Sequence, residues 1–257
     1  MVSIITVTFN NYEELVSTLK SVPLSEDIES VVINGGSCKK TLEFLETYSG
    51  IVINEPDKGI SDAFNKGVLV SRGNYVMFLN SGDILIKQDY PLEAEKILNE
   101  KKEFSFVHSN ILLEDKSAGT LTIRPRRKNI GRGMPYLHPS MIFRKSVFNN
   151  IGLFDLSKKI AMDYEFTVRM EKQGLKGYYF NFEPVIQMNG KGISISRESE
   201  SMRESYQSLK QNNFLSSGRF FNFGIRLVLF YLRMIMYKIK ADKLLGLMKR
   251  IKYNKTI

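Results

Sequence analysis

The chain contains little that can be cross-linked or built into a soft-metal site. Cys38 is its only cysteine, so no internal disulfide forms and a reducing compartment is expected. Two histidines, His108 and His138, are too few for a histidine-rich zinc site. The first residues carry no basic leader, no long apolar run and no small-residue cleavage site, so no secretion signal is expected. No internal repeat or low-complexity segment interrupts the 257 residues, a length that buries a proper core without staples. No glycine-rich triphosphate loop followed by Lys or Arg occurs near the N-terminus, which disfavours a nucleotidyltransferase.

Excess charge is missing from most of the chain. From Arg219 onward ten bases face one acid, Asp242, whereas the preceding 218 residues hold 27 bases and 26 acids. A nucleic-acid binder more often carries its charge on the folded domain, so no nucleic-acid partner is expected and the basic tail is a specialised element.

What is present is an alternation of short apolar runs and helical spacings. Residues 3–9 are β-branched and suit a buried strand. Asn10 and Asn11 offer helix caps, and Leu15, Leu19 and Val22 follow at helical spacing. Residues 30–33, 51–53 and 74–79 read as further strands, with helices between them. The order β-α-β-α-β-α-β predicts an α/β fold with a parallel sheet. Polar clusters fall at the carboxyl ends of its strands, where open α/β sheets bind ligands. Residues 104–113, 121–123 and 136–143 look like strands, 124–134 like a basic loop, and 163–173 like a helix closed by Gly174. Beyond about residue 198 only helices are expected.

Asp83 lies just past a buried apolar strand, in a turn tightened by Gly82. Such a carboxylate either closes a plain Asx turn or holds a hard cation. One cation beside a departing phosphate, at about 4 Å and an effective dielectric near 20, contributes roughly 4 kcal/mol per charge pair.

Four ordered segments decide between those readings. They are Ser3-Ile4-Ile5-Thr6-Val7-Thr8-Phe9-Asn10, Val32-Ile33-Asn34-Gly35-Gly36-Ser37, the run Asp57-Lys58-Gly59-Ile60-Ser61-Asp62-Ala63-Phe64-Asn65-Lys66-Gly67, and Phe78-Leu79-Asn80-Ser81-Gly82-Asp83. With Ala161-Met162-Asp163-Tyr164-Glu165-Phe166 downstream, their order resembles family 2 glycosyltransferases, most of all the bacterial enzymes of surface-polysaccharide and O-antigen synthesis. The resemblance covers roughly residues 1–195. It implies a GT-A fold, Rossmann-like, with a UDP-sugar donor, Mn²⁺ or Mg²⁺, and inversion at the anomeric carbon.

Position by position, the resemblance implies that Thr8 borders the uracil site and that Asn34 stands where the family usually has a uracil-reading Asp. The family's metal motif is commonly acidic at three of four positions; here Asn80, Ser81 and Gly82 leave Asp83 as the metal ligand, with Asn80 available to the ribose or to metal-bound water. Asp57 and Asp62 fall near the same pocket, Asp62 as an acid behind it or a residue of the helix surface. Asp163 matches the catalytic base and is otherwise an N-cap. Glu165, the weaker candidate for the base and a candidate acceptor contact, points away from Asp163 and stands four residues before Arg169, at ion-pair spacing. His138, in Leu137-His138-Pro139-Ser140, lines the acceptor cleft or is a structural histidine. Lys191, in the glycine-rich Gly190-Lys191-Gly192-Ile193-Ser194, meets the diphosphate or lies in solvent. The cluster Arg124, Arg126, Arg127, Lys128 and Arg132 suits an anionic acceptor such as a lipid diphosphate.

In the tail, Arg219, Arg226, Arg233 and Lys240 recur every seven residues within an apolar stretch and so form one stripe. Two arginines near a bilayer centre cost about 3 kcal/mol each, and the uncharged runs between them fall short of the roughly 20 residues of a span. An interfacial helix with its stripe toward anionic headgroups is the expected arrangement. The competing occupant of that face is the catalytic domain or a second subunit, which would make a homo-oligomer.

The expectation is therefore a GT-A catalytic domain over residues 1–197 and a helical, basic, membrane-associating tail over 198–257. The protein would be an inverting glycosyltransferase moving a hexose or N-acetylhexosamine from a UDP-sugar to a lipid-linked or surface-glycan acceptor. Its expected place is cytoplasmic, peripheral on the inner face of the cell membrane. The alternative is a catalytically weakened nucleotide-sugar-binding or scaffold protein of the same fold, favoured by Asn34, Asn80 and Gly82.

Overall fold

The computed structural model describes residues 1–23, 25–115, 118–125, 130–180, 183–189, 197–239 and 241–254. Strand β1 (Val2–Thr8) is buried along its whole length, as expected of a strand covered on both faces. Helix α1 (Tyr12–Ser21) follows, with Leu15 and Leu19 buried and Glu13 and Glu14 in its first turn, where the helix dipole favours acids. Strand β2 (Ile28–Asn34) runs parallel to β1 in a register that sets Thr8 opposite Asn34. Helix α2 (Lys39–Glu46), strand β3 (Ile51–Asn54) and helix α3 (Ile60–Val70) lead to β4 (Tyr75–Phe78), which pairs parallel with the other edge of β1. The alternation expected over residues 3–79 is found strand for strand. Gly67 lets α3 lie close on β1: a Cβ there would stand 2.3 Å from Ile5 Cγ2.

The middle of the chain supplies β5 (Ile84–Leu85), α4 (Tyr90–Glu100), β6 (Phe106–Ser109), β7 (Ile111–Asp115), β8 (Gly119–Ile123) and β9 (Ile142–Arg144). Then come α5 (Ser146–Ile151), α6 (Met162–Lys172), β10 (Gly177–Phe180) and β11 (Ile186–Asn189). The large sheet has the order β10-β6-β9-β4-β1-β2-β3, with β9 antiparallel to both neighbours. A smaller sheet has the order β5-β11-β7-β8.

Two expectations change here. The single strand read over residues 104–113 is two strands in different sheets, separated at buried Asn110; apolar residues on both sides leave no periodicity break to mark the corner. Residues 136–143 are not one strand either. A 3-10 turn at His138–Ser140 precedes β9, because Pro139 has no N–H to donate to a ladder.

The large sheet separates two cores. Val2, Ile4, Met77 and Tyr90 belong to one; Ile5, Val7, Phe64, Phe78 and Phe166 belong to the other. In the second core Phe64 stacks on Phe78 with ring centroids 4.5 Å apart, a pair worth about 0.5–1.5 kcal/mol beyond its area burial.

The C-terminal region is helical: α7 (Glu198–Gln211), α8 (Ser217–Lys238) and α9 (Asp242–Asn254). Met202 and Leu209 of α7 join Ala161, Tyr164 and Val168 of the α6 region and Phe223 and Phe230 of α8 in a third apolar cluster. Residues 198–211, grouped with the tail on sequence, thus lie against α6. Lys249 of α9 reaches back to Asp115 of β7 at 2.7 Å. Among the described residues no helix is long and apolar enough to cross a membrane.

The arginine stripe forms, but it faces the opposite way from the sequence expectation. Arg219 sits 3.7 Å over the Phe214 ring, Arg226 lies 5.8 Å from the Tyr164 ring, and Arg233 pairs with Glu198. Aromatic faces and a carboxylate on the protein side compensate these charges as headgroups would. Phe221, Val228, Leu232 and Ile235 are therefore directed outward and exposed. Lys240, the fourth member of the stripe, lies outside the described residues.

Candidate active site

The site is built at the carboxyl ends of β1, β2 and β4. Leu79 N–H donates to Ile5 O at 2.9 Å and Ser81 N–H to Val7 O at 3.1 Å. The β4–β1 pairing therefore continues past β4 and delivers residues 80–83 beside the end of β1. Gly82 adopts φ +100°, a conformation other residues rarely take, and its N–H donates to Thr18 Oγ1 of α1 at 2.9 Å. Asp83 N–H closes the turn on Asn80 O at 2.9 Å.

That turn holds polar atoms with nothing to bond. Asp83 is buried and its Oδ2 has no hydrogen-bond partner; Asn80 Oδ1 has none either. Next door, Thr6 and Thr8 share one face of β1, and both hydroxyls are buried without partners. Buried polar atoms are nearly always satisfied, so four orphans at adjacent strand ends make this the candidate place for a ligand. Burial, reinforced by the charge of Glu14, raises the Asp83 pKa to about 7 against the opposing hydrogen bonds from Asn80.

The orphan oxygens suit a hard divalent cation such as Mg²⁺ or Mn²⁺, which accepts carboxylate and carbonyl oxygens and keeps several waters. Among the described residues no group of three or more His, Cys, Asp or Glu gathers to hold a metal. A cation bound at Asp83 would thus complete its shell from water and ligand oxygens. The residues present fit one.

Glu14 is the acid the sequence reading passed over. A Cβ on Gly82 would stand 2.9 Å from its Oε2, and Asn11 Nδ2 and Asn189 Nδ2 both donate to its carboxylate. Asn11, expected as a cap, makes no side-chain cap bond to α1. Asn10 takes φ +52°, which Asn tolerates better than most residues, and its Oδ1 accepts from Ser37 N–H and Cys38 N–H at 2.8 Å each. Asn10 therefore ties the loop after β1 to the loop after β2.

The other expected residues divide. Asn34 is buried and its amide is occupied. Nδ2 donates to Gly36 O at 3.2 Å and Asn54 Oδ1 at 3.1 Å, while Oδ1 accepts from Gly36 N–H at 3.1 Å. Asp57 and Asp62 gather around one base that the sequence reading did not single out. Lys66 Nζ lies 2.7 Å from Asp57, 2.9 Å from Glu55 and 3.7 Å from Asp62. Asp57 also abuts Gly35, where a Cβ would stand 2.2 Å from Asp57 Oδ2. Asp62 accepts from Lys58 N–H at 2.9 Å, so it ties down the loop that opens α3.

Asp163 is half-buried in the first turn of α6, and its Oδ1 accepts from Tyr164 N–H at 2.7 Å. Burial lowers the His138 pKa, with the Asp163 charge opposing, so the two side chains sense each other. The His138 ring stacks 5.4 Å from Phe78 and 5.8 Å from Phe64, and its Nε2 has no partner. Glu165 is committed elsewhere. It takes Arg169 in a paired contact, Nε at 2.9 Å and Nη2 at 2.8 Å, while the same guanidinium donates to Leu153 O. Lys191 and its glycine-rich loop lie outside the described residues, as do Arg126, Arg127 and Lys128.

Residues 3–152 match the family model described as Glycosyl transferase family 2. The chain belongs to that family. The matched span contains every orphan oxygen described above and ends before Asp163. A PGL/p-HBAD biosynthesis glycosyltransferase of Mycobacterium bovis is 25% identical over 182 residues, covering 66% of this chain and 69% of that protein. An uncharacterised glycosyltransferase of Mycobacterium tuberculosis is 32% identical over 178 residues, covering 65% and 68%.

Solved structures share the fold. The S. aureus TarS 1-349 structure in complex with UDP-GlcNAc aligns with a TM-score of 0.64 at 17% identity, covering 88% of this chain and 71% of that one. A glucosyl-3-phosphoglycerate synthase from Mycobacterium tuberculosis, in complex with Mn²⁺, UDP and glucosyl-3-phosphoglycerate, aligns with a TM-score of 0.59 at 13% identity, covering 85% and 82%.

Proposed function

We propose that this family 2 glycosyltransferase moves a hexose or N-acetylhexosamine from a UDP-sugar to a lipid-linked or surface-glycan acceptor, with inversion. The observation that carries the reading is the set of orphan oxygens on Thr6, Thr8, Asn80 and Asp83 at adjacent strand ends. The printed ligands of two fold neighbours, UDP-GlcNAc and UDP with Mn²⁺, support a uridine nucleotide as donor. Thr8 would border the base, and Asp57, held by Lys66 against Gly35, would close the nucleoside end.

Asp83, with Asn80 beside it, would hold Mn²⁺ or Mg²⁺. Bound there, a divalent cation supplies charge to offset that of the departing diphosphate. Asp163 accepts the proton of the acceptor hydroxyl as its oxygen forms the new bond to the anomeric carbon. The bond from that carbon to the UDP oxygen breaks, and UDP leaves with the electron pair. General-base help of this kind contributes around 10²–10⁴-fold. His138, whose pKa burial lowers against the charge of Asp163, would line the acceptor side.

The C-terminal helices carry a surface suited to lipid, which would meet a membrane-held acceptor. The outward residues of α8 and α9 are apolar, and exposed Lys238 and Lys243 accompany them. A second copy of this face would bring like charges against Lys238 and Lys243, whereas an anionic bilayer offers the opposite charge. This supports a protein that works peripherally on the cytoplasmic membrane face.

A second reading, a weakened nucleotide-sugar binder, is favoured by the occupied amide of Asn34 and by the single carboxylate in the metal turn. Release of UDP from UDP-glucose and UDP-N-acetylglucosamine, with and without Mn²⁺, separates the two. Metal-dependent release supports the enzyme, and binding without release supports the alternative.

A further inference from the structure

Helix α6 opens without a cap of its own. Its N-cap position is Ala161, whose side chain carries no acceptor, and no side-chain cap bond is made there. The first N–H groups of a helix have no partner within it and must be satisfied from elsewhere. Tyr164 N–H finds its partner in Asp163 Oδ1, while the N-cap N–H of Ala161 and the two N–H groups before it find theirs in α7. Glu204 Oε1 accepts from Lys159 N–H at 3.0 Å, and Oε2 accepts from Ile160 N–H at 2.9 Å and Ala161 N–H at 2.8 Å. One carboxylate thus gathers three consecutive backbone donors in the segment that leads into the positive end of α6, bonds that its charge strengthens.

The segment is pinned from its other side as well. Ser61 of α3 donates to Lys158 O at 2.6 Å, and buried Lys158 donates to Gln211 of α7 at 2.7 Å. Residues 158–161 therefore have both their backbone and their one buried charge fixed by α3 and α7, two residues before Asp163.

We propose that Glu204 is a positioning residue for Asp163: it sets where α6 begins and so where the carboxylate of its first turn points. The proposal rests on the reading of Asp163 as the base. A base must come within about 2.6–3.2 Å of the proton it takes. A misplacement near 1 Å costs on the order of 100-fold. Glu204 lies beyond residues 3–152, the span that matches the family, so it is a feature of this chain's C-terminal helices.

The test uses the full chain, with UDP release from UDP-glucose and UDP-N-acetylglucosamine in Mn²⁺ as the rate and calorimetric binding of UDP as the second readout. Glu204→Ala is expected to lower kcat about 10–100-fold while leaving KM for the sugar nucleotide and UDP affinity within about two-fold. Glu204→Gln, which keeps one acceptor oxygen, should recover part of the loss, and it carries the comparison if the alanine variant does not fold. In an Asp163→Asn background, removing Glu204 should cost nothing further, because residues acting as one unit are not additive.

Losses that multiply in the double variant would overturn the proposal. So would an unchanged kcat, or a loss of UDP affinity that parallels kcat. If Asp163→Asn alone leaves the rate intact, the base reading fails by itself. If the unaltered chain releases no UDP from either nucleotide, that reading fails and the positioning role goes with it.

Discussion

Half-buried Glu14 on α1 and buried Asp83 in the turn after β4 are 69 positions apart in the chain and close enough that the charge of the first raises the pKa of the second. Like charges drawn together away from water are held at a cost unless a cation joins them. Their approach depends on Gly82, whose missing side chain leaves room for the Glu14 carboxylate.

Cation binding should follow the Asp83 proton. With its pKa raised to about 7, Asp83 is protonated below that value and competes poorly for Mn²⁺, so metal-dependent UDP affinity should rise with pH through about 7. The stability linkage runs the other way. A raised carboxyl pKa contributes stability that is fully present below the ordinary value near 3.8 and is lost as pH rises through about 7. Asp83→Asn should therefore abolish metal-dependent UDP binding and raise Tm at pH 8, at about 2–4 °C per kcal/mol. Calorimetry and thermal melts between pH 5.5 and 8.5 (roughly 1.5 units either side of the Asp83 value) check both signs.

Glu14→Gln removes the like charge and keeps the hydrogen-bonding shape. The pH midpoint of metal-dependent UDP binding should fall below that of the unaltered chain, by under about one unit because burial is the larger cause. An unchanged midpoint would show that Glu14 does not act on Asp83.

Asp163→Asn should remove transfer, by about 10²-fold or more, while UDP affinity stays within about two-fold. Equal loss of both would make Asp163 a structural cap. Single-turnover rates and UDP titration distinguish the outcomes.

On the tail, the apolar face matters more than the arginines. Replacing outward Val228, Leu232 and Ile235 with Ser removes three exposed side chains, each worth about 1.5–3 kcal/mol if buried in lipid. Vesicle binding should fall by well over ten-fold with little change in Tm. Arg226→Ala, which takes a guanidinium from above Tyr164, should lower Tm more than vesicle affinity. Flotation with anionic vesicles measures the first effect, and sedimentation velocity shows whether a second copy occupies the face instead.

Much of this was legible in the sequence where local pattern is enough. The buried run of β1, the turn at Gly82 and the helix start at Asp163 depend on neighbours a few residues away. The contacts that give the site its character do not. Glu14 meets Asp83 only because α1 packs with that face toward the turn, and Glu204 meets Ala161 only because α7 folds back on α6. The heptad spacing of Arg219, Arg226 and Arg233 showed that they share a face. It carried no information on which way that face turns, since Phe214, Tyr164 and Glu198 are partners visible only after folding. Asn34 fits the family motif by position, yet its amide is bonded to Gly36 and Asn54, a use set by the β2–β3 pairing.

The central claim is that Asp83 holds a divalent cation for a uridine nucleotide at the end of β4. Anomalous diffraction from crystals grown with UDP and Mn²⁺ tests it most directly. We expect one manganese peak within bonding distance of Asp83 Oδ2, with the diphosphate on its other side and the base beside Thr8. Manganese bound elsewhere, or UDP bound with Asp83 untouched, would contradict the account.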